Sequence, residues 1–292
     1  MRKAIVVAAI AAVIGAVFVL PAAGATPTPT FDRGLPTANL NNAAGSSRSN
    51  VAWSNGNNYV SGDDFTIGQS GQTWIVTGIR TWSVSGDVGS KIGDTFSSVT
   101  LYLGSGGIRP VATGNLTAGS NADSNPNITH TPVTYSDESD YQGSSGAFRQ
   151  LWQNDFSNLN YTVNGGEKYD FAVDGSLQVP NSYYWFNHAS NAALSGSTQQ
   201  GADGKWLTWP KNALSSPPLT CDSAGGTGTC DGGWDKSSDI NIQVFASQVA
   251  TSISDCKSGN WMNLVTSNGT SFKNQGDCVS YVASQGKANG NP

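Results

Sequence analysis

Tyr169-Asp170-Phe171-Ala172-Val173 alternates bulky apolar side chains with small or acidic ones. A period of two places Tyr169, Phe171 and Val173 on one side of an extended chain and Asp170 and Ala172 on the other. The pattern recurs in both directions: Val99, Leu101 and Leu103 oppose Thr100 and Tyr102, and Ile240, Ile242 and Val244 repeat it near the far end. Strands with one buried and one wet face belong to antiparallel sheets. Two such sheets packed together make a sandwich. Strands are expected at 74–84, 98–103, 147–152, 159–163, 168–173, 183–187, 205–209 and 239–245. No amphipathic stretch of a dozen residues lies between them to make parallel crossovers, so the expected class is all-β, an antiparallel β-sandwich.

Composition agrees. Charged residues are only 12% of the chain, and 35 glycines and 12 prolines punctuate it. Such a Gly and Pro content is compatible with disorder, but nine Trp, nine Tyr and ten Phe supply side chains to bury. The glycines therefore read as turns. A net charge of −5 without a basic stripe excludes nucleic acid as a partner.

The ends divide the chain further. Arg2 and Lys3, an apolar run from Ala4 to Leu20, then Pro21 and Ala23-Gly24-Ala25 form the pattern of a secretory signal peptide over 1–25. Residues 26–49, with Thr-Pro repeats and then a polar Asn/Ser/Gly stretch, are expected to be an extended linker. The sandwich then occupies 50–250, with long polar loops at 104–132 and 189–204, and a tail occupies 251–292. The expected product is secreted, with no transmembrane anchor after signal cleavage.

Ser61-Gly62-Asp63-Asp64-Phe65-Thr66-Ile67, followed by Gly71-Gln72-Thr73-Trp74-Ile75-Val76-Thr77-Gly78-Ile79, resembles the opening of a domain of exported bacterial proteins. Tyr169 to Val173, Tyr184-Trp185-Phe186 and Asp239 to Phe245 resemble its later strands. The group is best known from proteins with exosortase-type carboxyl-terminal anchors. The resemblance spans about 50–246 and implies a jelly-roll sandwich similar to carbohydrate-binding modules. This chain departs from the anchored members over 286–292, which carries neither an apolar helix nor a basic stop.

Four cysteines in an exported chain make two disulfides, and of three possible pairings the spacing favours Cys221 with Cys230 and Cys256 with Cys278. One short helix is expected to start near Asn274, with Asp277 in its first turn and Cys278, Tyr281 and Val282 on one face, packed on Trp261, Met262 or Leu264. Cys256-Lys257-x-Gly259-x-Trp261 and Phe272 to Val282 resemble a short module of about 255–283 at the carboxyl end of exported actinobacterial proteins.

Motifs for chemistry are scarce. His130 and His188 are the only histidines, both read as surface or strand-end residues, and no G-x-S-x-G elbow is present. No catalytic residue and no cofactor is assigned. A structural calcium ion is the one metal considered, with Asp63 and Asp64 as its candidate ligands, although adjacent strand residues face opposite ways. Asp123 to Asn127 begins like a calcium loop but lacks its glycine and terminal glutamate. Aromatic rings that stack on sugars are the remaining signal, and Tyr183, Trp185, Trp206 and Trp209 are the candidate ligand-binding residues. The expected function is non-catalytic binding of polysaccharide or cell-envelope material; a structural envelope protein and a glycan-active hydrolase are the alternatives.

Overall fold

The computed structural model describes residues 28–34, 51–53, 58–87, 89–133, 149–178, 185–190, 200–221 and 239–286. They form two mainly antiparallel sheets packed face to face, a β-sandwich with a small disulfide-clipped tail.

The six-stranded sheet runs in the order β13 (Leu219–Cys221), β12 (Trp206–Pro210), β3 (Tyr59–Thr66), β10 (Lys168–Leu177), β5 (Phe96–Gly104) and β6 (Ile108–Asn115). The ten-stranded sheet is organised on one long strand, β4 (Thr73–Asp87). One side of β4 pairs with β15 (Ile242–Val249) and then β11 (Phe186–Ser190); the other pairs with β9 (Tyr161–Asn164) and then β8 (Arg149–Phe156). β7 (Ile128–Val133) lies outside β8, and β1 (Phe31–Asp32) outside β15. β2 (Val51–Trp53) and β14 (Asp239–Ile240) flank β11.

Alternation places the core as expected. Val99, Leu101, Leu103, Tyr169, Phe171 and Val173 from one sheet meet Val76, Ile79, Phe156, Ile242 and Val244 from the other in a single buried cluster. The pairing shifts by one residue between Phe245 and Ala246, leaving Thr77 opposite no partner. That bulge keeps Val76 and Ile79 both inward although they are three apart.

Three expectations about segments need correction. Residues 28–34 fall inside the expected linker, yet Phe31 and Arg33 are fully buried, because β1 lies along β15 and its side chains enter the space between the sheets. The expected loop at 104–132 contains β6 and most of β7; their periodicity is hidden by exposed polar residues on both faces of edge strands. Both histidines are buried. His130 sits 2.8 Å from Asn154 Oδ1 and 3.2 Å from Asp123 Oδ2, while His188 Nδ1 lies 2.8 Å from Asn241 Oδ1.

The tail packs on the sandwich. β16 (Leu264–Val265) runs parallel to β15 at Gln248 and Val249, and Val265 joins Ile75 and Val249 in a buried outer-face cluster. Behind β16, Leu264, Phe272, Cys256, Cys278 and Tyr281 form a second small core beneath the helix Gln275–Ala283. The helix begins where the sequence places it, Asn274 Oδ1 accepting the Asp277 amide. The Cys256–Cys278 disulfide ties its first turn to the start of the tail. Of the three residues proposed beneath it, Trp261 and Leu264 pack there, and Met262 points to solvent.

Candidate functional site

A cleft of about 690 Å³ opens where the sandwich meets the tail. Its origin is the edge of β15. β1 covers that edge at Gln243 and Val244, and β16 covers it at Gln248 and Val249, so a notch remains between the two short strands. Thr30 closes its floor: the Thr30 hydroxyl donates to Ala246 O and accepts the Ala246 amide. Backbone groups of an open strand edge would otherwise pair with another chain.

The walls come from two places. From the sandwich, the turn before β4 brings Gln72 and Trp74; the Trp74 indole N–H donates to Gln72 Oε1 at 3.2 Å. Gly68 makes this possible, since it has φ +65° and a Cβ there would lie 2.1 Å from Trp74 Nε1. From the tail, a 3₁₀ turn over Asn260–Asn263, entered through Gly259 at φ +82°, presents Asn260, Met262 and Asn263. Met262 is 66% exposed, a thioether at the rim.

The chemistry is amide-rich with a single carboxylate. The cleft's one ionisable side chain is Asp255, whose carboxylate is taken up by the amides and hydroxyls of Thr251 and Ser252. Burial draws its pKa upward, but those donors outweigh burial and hold it below the usual carboxylate value. Carboxamides donate and accept in fixed geometry beside an indole and a thioether, a combination suited to uncharged hydroxyl-rich ligands.

None of the described residues named from sequence as ligand-binding lies in this cleft. Trp185 is buried against Phe96, ring centroids 5.1 Å apart, with its N–H on Asn187 Oδ1. Trp206 lies in the core between the sheets, and Trp209 is buried on the outer face of the six-stranded sheet. Large rings fill interior volume, and alternation indicated their side of the strand but not what covers it. Tyr183 lies outside the described residues. Trp74, which does reach the cleft, is marked in the sequence only by its place just after a Gly-containing turn at the start of a strand.

The proposed calcium ligands are engaged by cationic side chains. Asp63 faces inward and Asp64 outward, as strand geometry requires, and Arg33 Nη1 lies 2.8 Å from Asp63 Oδ2. Asp63 also accepts the amides of Ile240 and Asp64. Burial pushes its carboxyl up to about 8 despite Arg33. Asp64 holds Lys168 Nζ at 2.7 Å and lies 3.6 Å from Arg33 Nη2. A guanidinium thus occupies the place proposed for an ion. Among the described residues no group of three or more His, Cys, Asp or Glu side chains is arranged to hold a metal. Cys221 is disulfide-bonded, and its expected partner Cys230 lies outside the described residues.

Across the outer face of the six-stranded sheet, Asp64 and Asp170 stand opposite each other on β3 and β10. They do not form an acid pair in a groove, because both are buried and Lys168 and the Gly106 amide take their oxygens. Burial raises Asp170 to about 6 against the Gly106 hydrogen bond, and raises Asp174 to about 6 against Lys211. Both folded-state values exceed the unfolded carboxylate value, so the native state binds more protons between about pH 4 and 6. The contribution of these two groups to stability is therefore greatest below pH 4 and is lost as pH rises through 6. Asp170→Asn, which removes the buried charge, should stabilise the protein by about 1–2 kcal/mol at pH 7.5 and change nothing at pH 4. Thermal melting of both proteins at the two pH values checks this; equal shifts at both would contradict it.

Comparison of the chain with protein-family models, curated proteins and solved structures finds no match. What fold and site define is a disulfide-clipped, mainly antiparallel β-sandwich with an amide-rich cleft at the seam with its tail.

Proposed function

We propose that this is an exported, non-catalytic binding protein whose seam cleft takes a neutral polysaccharide or a neutral glycan of the cell envelope. The observation that carries this reading is the lining: Gln72, Gln248, Asn260 and Asn263 surround Trp74 and Met262, with a volume of about 690 Å³. Sugars present hydroxyls that bond carboxamides and C–H faces that lie on rings and thioethers. Cleft chemistry without a free cation favours uncharged over anionic chains. The signal-like first 25 residues and the resemblance of the tail to an actinobacterial exported module support an extracellular site of action, where such chains are found. No helix among the described residues is long and apolar enough to cross a membrane.

Retention on insoluble cellulose, chitin and peptidoglycan tests the reading. The wild-type protein should be held on at least one, and Gln248→Ala combined with Asn263→Ala should weaken retention about tenfold or more, since each lost hydrogen bond removes roughly 1 kcal/mol. Trp185→Ala, far from the cleft, should alter stability but not the ranking of the three materials. Failure of the wild type to bind any of them would overturn the proposal.

A further inference from the structure

A second surface carries sugar-binding chemistry, and it is covered. The outer face of the six-stranded sheet is built from alternate residues of four strands: Leu207 and Trp209 on β12, Val60 and Gly62 on β3, Ala172 and Asp174 on β10, and Tyr102 and Gly104 on β5. The middle row is small. Gly62 stands beside Ala172, and a Cβ on Gly62 would lie 1.9 Å from Phe171 O, so the floor between Trp209 and Tyr102 stays low.

Residues 211–218 run over this floor as a strap from the end of β12 back towards β13. Proline stands at 210, 217 and 218 and limits the strap's backbone freedom. Its attachments to the sheet are few. Leu214 packs on the Trp209 cluster and its carbonyl accepts the Ile108 amide at 2.7 Å; the Lys211 amide donates to Asn58 O, and Lys211 Nζ pairs with Asp174. The strap fits closely, since a Cβ on Gly107 would lie 2.5 Å from Ser215 O.

The covered state suits this face poorly. The Trp209 indole N–H is fully buried and meets no acceptor. Asp174 is a buried carboxylate held by Lys211 of the strap and by the Gly175 amide. A buried donor without an acceptor raises the free energy of the covered state relative to one in which it is paired. Two rings flanking a low floor, an indole N–H without an acceptor and a carboxylate able to accept hydroxyl protons are the parts of an oligosaccharide site.

We infer that the outer face of the six-stranded sheet is a second, strap-covered binding site for a neutral oligosaccharide, with Trp209 and Tyr102 as its walls and the Lys211–Asp174 pair as the latch. This site is separate from the seam cleft and does not depend on it. In the resting protein its apparent affinity is reduced by the fraction of molecules in which the strap is raised.

The Ile108 amide reports the strap directly, because its acceptor is Leu214 O. Hydrogen exchange of the full chain should show Ile108 exchanging faster than Leu101 or Phe171 and faster again in Lys211→Met, with the two core amides unchanged. Titration with soluble cello- and chito-oligosaccharides should give Lys211→Met about tenfold higher affinity than wild type for one of the series. Adding Trp209→Phe, or Tyr102→Ala should the former unfold, should abolish that gain, whereas Gln248→Ala with Asn263→Ala should leave it intact. Ile108 exchanging only with the core, or Lys211→Met binding no better than wild type, would overturn the inference. Loss of the gain through the seam-cleft exchanges would overturn it in favour of one site.

Discussion

Arg33→Ala should lower folding stability by about 3–5 kcal/mol, a fall of roughly 10 °C in Tm. The guanidinium lies wholly inside the protein. Its Nη1 faces Asp63 at 2.8 Å, its Nε and Nη2 donate to Gln200 O and Gly201 O, and its plane lies 5.2 Å from the Phe31 ring. Burial opposes its charge, but Asp63, Asp239 and Asp64 together raise its pKa. Removing it leaves the Asp63 carboxyl in the interior without its counter-ion and two carbonyls without donors. The loss should stay nearly constant from pH 4.5 to 7, where Asp63, pushed up to about 8, already holds a proton, and should grow as pH rises past 8, where only the wild type can ionise Asp63 beside Arg33. Arg33→Met combined with Asp63→Asn should recover much of the deficit, since the pair's cost lies in stranding one charge. Additive losses in that double variant would contradict the account of Arg33 as the ion that fixes Asp63.

Removing the Cys256–Cys278 disulfide by exchange of both cysteines for alanine should have the second large effect. Chain-entropy estimates for a loop of this size give about 3 kcal/mol, and the loss should fall on the tail alone. The tail core of Leu264, Phe272 and Tyr281 is small and its contact with the sandwich is one two-residue strand and the Ile75, Val249 and Val265 cluster. The sandwich core shares none of these residues, so a separate early melting step should precede the main one. Because Asn260, Met262 and Asn263 form one wall of the cleft, glycan retention should disappear at temperatures where the sandwich remains folded. Retention that survives with the tail unfolded would place the site elsewhere.

The sandwich was legible in the sequence because alternation is a property of single strands. Tyr169 to Val173, Val99 to Leu103 and Ile240 to Val244 each signal which residues turn inward, and all three lie in the shared core. Edge strands were not legible. β1 and β16 have two residues each, too few for any period, and β6 shows an exposed polar pattern because one edge and one face meet solvent. The tail was read well from local chemistry, a capping asparagine and a cysteine pair. Its cleft was not, because it arises where residues 30, 72–74, 246–248 and 260–265 converge, a relation between distant segments that no local pattern encodes. Burial of Trp185, Trp206 and Trp209 shows the same limit: alternation assigns a face, and only the tertiary fold decides what lies over it.

The proposed glycan-binding role of the seam between sandwich and tail requires ligand to touch its walls. Titrating the isotope-labelled protein with the oligosaccharide of whichever polymer retains it, and following backbone and carboxamide resonances, tests this most directly. The predicted result is saturable shifts clustered at Gln72, Trp74, Ser247, Gln248, Asn260 and Asn263. Shifts absent from these residues at saturating ligand, or confined to the buried Trp185 region, would contradict it.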